Sequence, residues 1–167
     1  MEKQYDVMVV GPVSLDQNID YEGHERREVG GAVVASGFAA AGSGVKTAIF
    51  CKFRQEDVNL EERFDGISAD LYWAASEATC SIRNQYFTAD KERRQCTSLG
   101  VCDPFRFEEL PQVKTDVYHF AGLVYGDFDG EILAKAAQKC KVALDVQCIL
   151  RHVAADQPMG FHDWAVT

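Results

Sequence analysis

Residues 30–41 read GGAVVASGFAAA, a run in which every residue is apolar or small. A helix that is apolar on all sides is a buried helix, and small residues allow neighbouring backbones to approach it closely. A short apolar strand, Tyr5–Val10, precedes this run and ends at Gly11-Pro12, and a second strand, Thr47–Cys51, follows it. Strand, helix and strand in this order are typical of a parallel α/β sheet.

The second half of the chain returns to the same alternation of strand and helix. Apolar runs predict strands over Asp116–Ala121 and Val142–Val146, and an amphipathic pattern predicts a helix over Asp127–Lys139 between them. The acidic start and basic end of that segment favour a helix, because they complement the helix dipole. The α/β pattern therefore extends from the first strand to about Arg151.

The middle of the chain follows a different pattern. Strands are predicted over Ser81–Phe87 and Gln95–Val101, joined by the charged turn 89–92. Two strands with a short polar connection predict an antiparallel hairpin. A helix over Glu56–Phe64 and a strand over Leu71–Trp73 precede it. We therefore expect one α/β domain over residues 1–167, with a β-hairpin insertion around residues 70–102.

Composition and charge exclude several classes of protein. The chain has 167 residues, 47% of them hydrophobic, which is enough for one domain with a substantial core. Twenty-six acidic residues against seventeen basic ones give a net charge of −9. Nucleic-acid binders cluster Lys and Arg to neutralise phosphate, so this class is disfavoured. A small anionic substrate stays open, because it needs only a local positive site.

Targeting and metal patterns are also absent from the sequence. No apolar run approaches the ~18 residues of a membrane span, and the polar start predicts no signal peptide. Six cysteines show no CxxC pair and share no ligand spacing with the four histidines. This pattern predicts reduced core thiols and no metal site, and it favours a cytoplasmic protein.

Two glycine-containing segments resemble phosphate-binding loops but fail on detail. Residues 42–47 end in Lys-Thr, yet Val45 stands where a P-loop requires glycine, and the segment follows a helix and leads into a strand. These glycines are expected to end the preceding helix. Residues 11–14 lack the second and third glycines of a dinucleotide-binding turn, so a dehydrogenase is disfavoured.

Five polar or glycine positions at predicted strand and helix ends are candidate site residues. Asp16 follows the first strand at the sheet edge where α/β proteins bind ligands, and it is either a hydroxyl acceptor or a turn residue. Gly30-Gly31 would bring backbone amides against a ligand at a helix N-terminus, or would serve close packing. Asp145 and Arg151 flank the last predicted strand, where a capping role for Asp145 is the alternative.

Taken in order, these features resemble the N-terminal portion of the ribokinase (PfkB) family of carbohydrate kinases. The resemblance covers the chain from Tyr5 to about Arg151, and the ordered series carries more weight than the double glycine alone. The matching segments, in chain order, are the strand 5–10 with Gly11, then Asp16, then Gly30-Gly31 with the helix that follows them. After these come residues 45–52, the hairpin 81–101, and residues 117–122, 144–147 and 150–151.

The resemblance implies an ATP-dependent kinase that phosphorylates a sugar hydroxyl. It implies a ribokinase-like three-layer α/β/α sheet with an inserted β lid, and use of ATP and Mg²⁺ in the full-length family. Asp16, Gly30 and Gly31 would bind the sugar. Arg83, Asp145 and Arg151 would lie near the site. The lid would exclude water and could pair two subunits into a homodimer.

Two departures from the family pattern limit what the resemblance implies. The family usually carries an Asn four residues after the second glycine, where this chain has Ala35. The second family motif, roughly Asp-Thr-x-Gly-Ala-Gly-Asp, supplies the anion hole and the catalytic aspartate and is absent, and residues 126–130 do not replace it. We therefore expect the C-terminal part of the fold to be missing, no catalytic residue in this chain, and no turnover by the chain alone.

Two other functions stay open from the sequence. The first is a non-catalytic module that binds a sugar or dimerises through the lid and has no nucleotide half. The second is a small α/β domain with an unrelated ligand, in which Asp16 would not affect binding.

Overall fold

The computed structural model describes residues 3–154 and 157–162 of the chain. The strands are β1 Gln4–Pro12, β2 Ser14–Ile19, β3 Glu25–Gly30, β4 Thr47–Phe53, β5 Ala69–Ala75, β6 Ser81–Tyr86, β7 Arg94–Gly100, β8 Lys114–Phe120, β9 Lys141–Leu144, β10 Arg151–His152 and β11 Gly160–Phe161. The helices are α1 Ala32–Gly42, α2 Leu60–Arg63, α3 Ile132–Ala137 and α4 Gln147–Leu150, with a 3-10 turn at Phe107–Glu109. Among the described residues, no helix is long and apolar enough to span a membrane.

Five strands form a parallel sheet in the order β5-β4-β1-β8-β9. Its two faces bury different sets of side chains, because successive residues of a strand point to opposite faces. Val9 of β1 packs with α1 and α2 on one face, and Met8 packs with α3 on the other. Helices therefore cover both faces, and the predicted three-layer α/β/α arrangement is confirmed.

Helix α1 packs tightly against the central strands because its sequence contains small residues. Gly37 lies so close to β4 that an added Cβ would be 2.6 Å from Ile49 Cδ1. Val33 and Val34 are buried beside it. The helix ends as expected at the glycines of residues 42–44, where the Ser43 amide donates to the Ala39 and Ala40 carbonyls. The strand–helix–strand unit of β1, α1 and β4 is thus confirmed.

A second sheet has four strands in the order β3-β2-β6-β7. The β6–β7 hairpin is the predicted one. The β2–β3 hairpin was not predicted, because its polar sequence lacks the apolar signal of a buried strand. Strand β5 pairs with β4 in the parallel sheet, so the insertion does not begin near residue 70 as expected. We call this second layer the lid sheet.

The predicted helix over Asp127–Lys139 begins too early, because residues 127–131 are not helical in the structure. Helix α3 begins only at Ile132, because the acidic residues before it accept hydrogen bonds from turn amides instead. Asp127 Oδ2 accepts from the amides of Leu123 and Val124 at 2.5 and 2.9 Å. Asp129 Oδ1 accepts from the Ile132 amide at 2.8 Å. Short polar side chains that bond nearby backbone amides favour turns over helix interiors.

The predicted helix over Glu56–Phe64 is also shorter in the structure. Helix α2 has four residues, and Asn59 caps it by accepting a hydrogen bond from the Glu62 amide. Upstream of that cap, Asp57 accepts from the Thr79 hydroxyl at 2.8 Å and from Arg54 at 3.2 Å. These tertiary hydrogen bonds hold the residues before Asn59 in a loop.

Candidate functional site

Asp16 lies where the lid sheet leaves the parallel sheet. Strand β2 starts at Ser14, two residues after β1 ends, so the first residues of the lid sheet stand at the carboxyl edge of the parallel strands. Among the described residues, only Ser14 Oγ and Asp16 Oδ1 are buried side-chain oxygen or nitrogen atoms without a hydrogen-bond partner. Buried polar atoms are nearly always paired, so two such oxygens on one strand make this a candidate site for hydroxyl or amide donors.

Gly30 and Gly31 bring backbone against these two oxygens. Gly30 pairs with Ser14 across the β2–β3 hairpin, and an added Cβ would be 3.5 Å from Ser14 Oγ and 3.2 Å from Asp16 Oδ2. Gly31 has φ 110°, and its Cβ would lie 2.7 Å from the Pro12 carbonyl oxygen. Positive φ and close backbone approach both favour glycine. Gly30 therefore keeps side-chain atoms away from the Asp16 carboxylate, and Gly31 allows the close approach to the Pro12 carbonyl.

Burial raises the pKa of the Asp16 carboxyl above its usual range. The nearby Ser14 hydroxyl and the Arg94 guanidinium oppose part of that rise, and the Glu28 carboxylate adds to it. Desolvation disfavours the charged form of a carboxyl, whereas a nearby cation favours it. A desolvated carboxylate with an unpaired oxygen is a strong acceptor for substrate hydroxyls.

Helix α1 begins directly after Gly30 and Gly31, and Gly30 lies beside the Asp16 carboxylate. No side chain of the described residues caps its first turn, and that turn contains no acidic residue. Beside it lies an open cleft of about 380 Å³. Its lining residues are Gly30, Gly31, Val34, Ala35, Phe38 and Arg63. The position where the family usually has Asn is thus on the cleft wall, but here it offers only a methyl group.

A row of polar side chains extends from Asp16 along the same face of the lid sheet. Asn84 Nδ2 donates to Asn18 Oδ1 at 2.9 Å, and Asn18 Nδ2 donates to Glu28 Oε2 at 3.1 Å. The Cys96 thiol donates to Asn84 Oδ1 at 3.2 Å. Residues two apart on a strand share a face, so Ser14, Asp16 and Asn18 form one polar wall.

The other candidate residues lie apart from Asp16. Arg83 is exposed on the opposite face of the lid sheet, where its Nε donates to Gln17 Oε1 at 2.6 Å. Asp145 accepts from the backbone amide and side-chain amide of Gln147 at 3.2 and 3.1 Å, at the start of α4. Arg151 stacks its guanidinium over Phe161, 5.7 Å from the ring centroid. The structure thus brings together Asp16, Gly30 and Gly31, and it does not bring Arg83 to them.

Several residues of the site were not singled out from the sequence. Ser14 lies two residues before Asp16, and a strand starting at Ser14 would have placed both on one face. Arg63 lies in a different part of the chain: its Nε donates to the Val29 carbonyl at 2.8 Å, and its guanidinium stacks on Phe38. Only the tertiary fold brings this cation to the cleft.

Residues 126–130 do not fit the phosphates of a nucleotide. Asp127 and Asp129 accept hydrogen bonds from the amides of their own turn, so those amides are not offered to an anion. Both carboxylates would also repel a phosphate group. We derive no phosphoryl-transfer step from this loop.

Comparison with known proteins was made through both sequence and structure. No protein-family model and no curated protein matches this chain. Among solved structures, a pyrophosphate-dependent kinase in the ribokinase family, complexed with a pyrophosphate analog and myo-inositol, matches with a TM-score of 0.82 and 26% identity, covering 95% of this chain and 55% of that chain. A sulfate complex of a pyrophosphate-dependent kinase in the ribokinase family matches with a TM-score of 0.83 and 26% identity, over 95% and 56% of the two chains.

The chain has the ribokinase-family fold. The Methanocaldococcus jannaschii nucleoside kinase, an archaeal member of the ribokinase family, supports the fold more distantly, with a TM-score of 0.58 and 19% identity over 84% of this chain and 52% of that chain. This ribokinase-like chain spans a little over half the length of the solved structures it matches. The remaining length of those structures has no counterpart in its 167 residues.

Proposed function

We propose that this ribokinase-like chain binds a small polyhydroxylated substrate, a sugar or a cyclitol, as the acceptor side of a kinase. The observation that carries the proposal is the pair of buried, unpaired oxygens of Ser14 and Asp16 beside Gly30. The structural matches include a ribokinase-family kinase complexed with myo-inositol, which supports this class of substrate.

Hydroxyl recognition suits these two oxygens for a chemical reason. A carboxylate oxygen only accepts hydrogen bonds, and a polyol offers several O–H donors on adjacent carbons. Ser14 Oγ can accept from one hydroxyl or donate to another, so the pair can bind neighbouring hydroxyl groups of one ring. Because Gly30 has no side chain, no methyl group presses on the Asp16 carboxylate from this strand.

The phosphoryl donor is the less defined part of the proposal. The family resemblance implies ATP with Mg²⁺, whereas two of the matched structures are pyrophosphate-dependent kinases. Because residues 126–130 do not fit a phosphate, we propose that the catalytic aspartate and the donor site belong to elements outside this chain. Robust phosphorylation by the purified 167-residue chain with either donor would contradict this proposal.

A non-catalytic sugar-binding module is the second candidate. The observation that favours it is the coverage, since the chain corresponds to only about 55% of a matched kinase. A homodimer through the lid sheet and a cytoplasmic location stay predictions. Both candidates share the substrate site at Asp16 and differ in whether additional elements restore phosphoryl transfer.

Calorimetric titration with myo-inositol and with D-ribose, without any phosphoryl donor, tests the shared site. We expect binding of at least one polyol, and we expect Asp16→Asn to weaken it roughly 10- to 100-fold, because a hydrogen bond to a charged acceptor contributes about 1.5–3 kcal/mol. Asp90→Asn, in the exposed β6–β7 turn, is the matched control and should leave the affinity unchanged.

Two results would count against the proposed site. The first is a folded chain that binds none of a panel of sugars and cyclitols. The second is polyol binding with equal affinity in the wild type and in Asp16→Asn. Phosphorylation assays with ATP and with pyrophosphate then separate the two candidate functions once the chain is joined to the second half of a matched kinase: recovered turnover supports the kinase, and its absence supports the module.

A further inference from the structure

Three buried side chains with metal-ligating atoms meet where the lid sheet joins the parallel sheet. Cys80 precedes β6, Cys102 follows β7, and Asp127 lies in the loop after β8. Their side chains are 3%, 5% and 2% exposed. The two Sγ atoms and a carboxylate oxygen all lie within 4.8 Å of one another. No sequence spacing predicts this cluster, because its members come from three separate segments.

The surroundings of the cluster position its ligand atoms. The Cys102 amide donates to Cys80 Sγ at 3.3 Å. The amides of Leu123 and Val124 donate to Asp127 Oδ2, which fixes the plane of the carboxylate. Hydrogen bonds of this kind orient metal ligands and tune their basicity in protein metal sites.

The donor set indicates which ion would bind. Two thiolates are soft ligands and select Zn²⁺ over Mg²⁺ or Ca²⁺, and a carboxylate oxygen completes many zinc sites. Once the two thiols are deprotonated, the three groups would carry three negative charges, and a divalent cation would offset most of that charge. We propose that Cys80, Cys102 and Asp127 form a Zn²⁺ site, with one position of the tetrahedral ion left to a non-protein ligand.

The proton balance of binding follows from the ligands. Both thiols lose their protons when the ion binds, so each Zn²⁺ releases two protons from Cys80 and Cys102, and no group is oxidised or reduced. The Asp127 carboxyl adds a proton only to the extent that it is protonated beforehand. Proton release therefore reports ligation by the thiols separately from any effect on activity.

The site would connect the two sheets beside the substrate pocket. The Cys80 carbonyl accepts from the Leu15 amide at 2.8 Å, and Cys80 forms a bridge with Ser14. An ion bound here would link the start of β6 and the end of β7 to the loop after β8. This role is structural and does not depend on the proposed function, because it requires no substrate.

Zinc titration of the chelator-treated full chain tests the site. We expect one Zn²⁺ per chain by calorimetry, two protons released per ion in buffers of different ionisation enthalpy, and a higher Tm. With Co²⁺ as the probe, thiolate-to-cobalt charge-transfer absorption should appear. Cys80→Ser and Cys102→Ser should each weaken Zn²⁺ binding by about 10-fold or more, by comparison with the losses seen for supporting residues of metal sites.

Two further variants separate ligation from folding. Asp127→Asn keeps an oxygen that accepts from Leu123 and Val124, so the loop should persist while Zn²⁺ affinity falls by a similar factor. Cys140→Ser changes a cysteine outside the cluster and should leave the stoichiometry and affinity unchanged.

Three results would overturn the proposal. The first is a folded wild-type chain that binds no Zn²⁺ at micromolar concentration. The second is unchanged affinity in both Cys80→Ser and Cys102→Ser. The third is a Cys80–Cys102 disulfide in the chain purified without reductant, identified by a mass lower by two hydrogens, because oxidised sulfurs cannot serve as thiolate ligands.

Discussion

Gly30 and Asp16 lie so close across the β2–β3 hairpin that a Cβ atom added to Gly30 would stand 3.2 Å from Asp16 Oδ2. The distance is tighter than an ordinary van der Waals contact. The absence of a methyl group at Gly30 thus leaves the Asp16 carboxylate in its observed position. This relationship connects the last residue of β3 to the chemistry of the proposed pocket.

Gly30→Ala should therefore weaken polyol binding without unfolding the chain. The new methyl group would displace the Asp16 carboxylate by a few tenths of an ångström, and small misplacements of binding groups cost about 10-fold. Calorimetric titration with the polyol that binds the wild type measures the effect. Gly130→Ala is the control, since no atom lies within 4 Å of its added Cβ. Unchanged affinity in Gly30→Ala would remove Gly30 from the pocket.

The raised pKa of Asp16 predicts a pH dependence of stability. A carboxyl whose pKa is higher in the folded state binds more protons there, so its stabilising contribution is complete below pH ~4 and is lost as pH rises through the folded pKa. The difference in unfolding free energy between wild type and Asp16→Asn should fall as pH increases above about 4. Denaturant titrations at a series of pH values measure this difference.

Asp90 provides a control of opposite sign. Hydrogen bonds from Thr88 and from the Glu92 amide lower the pKa of its carboxyl. Its contribution is present above the unfolded pKa and is lost on acidification. The difference in unfolding free energy between wild type and Asp90→Asn should therefore change with pH in the other direction. The same direction in both variants would contradict the assignment of desolvation to Asp16.

Lys52 predicts a large loss of stability on substitution. Its side chain is 2% exposed, and its ammonium group donates to both oxygens of Glu109 at 2.8 Å and to the Pro104 carbonyl at 2.9 Å. Lys52→Met would remove these hydrogen bonds, and because Glu109 is one-third exposed, the loss should be about 1–3 kcal/mol, below the cost of breaking a fully buried pair. Chemical denaturation measures the loss.

An exposed ion pair serves as the comparison for Lys52. Lys135 contacts Glu108 at 2.8 Å and Glu131 at 2.9 Å on the surface. Solvent screens exposed pairs, so Lys135→Met should be nearly neutral. A neutral Lys52→Met would mean that solvent hydrates the Glu109 carboxylate in the variant. It would also mean that the pair of Lys52 and Glu109 does not hold residues 104–109 against β4.

How far the sequence predicts this structure depends on the range of the interactions involved. The apolar runs of β1, α1, β4 and β8 are local signals, and each was predicted near its observed position. The predicted helix over Asp127–Lys139 was too long, because the side chains of Asp127 and Asp129 bond turn amides. Hydrophobic periodicity does not register such competing polar contacts.

The candidate site divides in the same way. Asp16, Gly30 and Gly31 could be singled out because a strand end and a helix start are visible in the sequence. Strands β2 and β3 bring Gly30 against Asp16, and these strands could not be predicted from the sequence. Half-exposed polar strands show little alternation of apolar and polar residues. Arg63 reaches the cleft only through packing of its guanidinium on Phe38.

The amino-acid sequence by itself determined the α/β class, the buried helix α1 and the order of elements that resembles the ribokinase family. These features follow from residue size and hydrophobicity over short windows. The tertiary structure alone decided which distant groups meet: Gly30 against the Asp16 carboxylate at the pocket, and Cys80, Cys102 and Asp127 at the junction of the sheets. Such encounters depend on strand pairing between distant segments, which no local pattern of residues encodes.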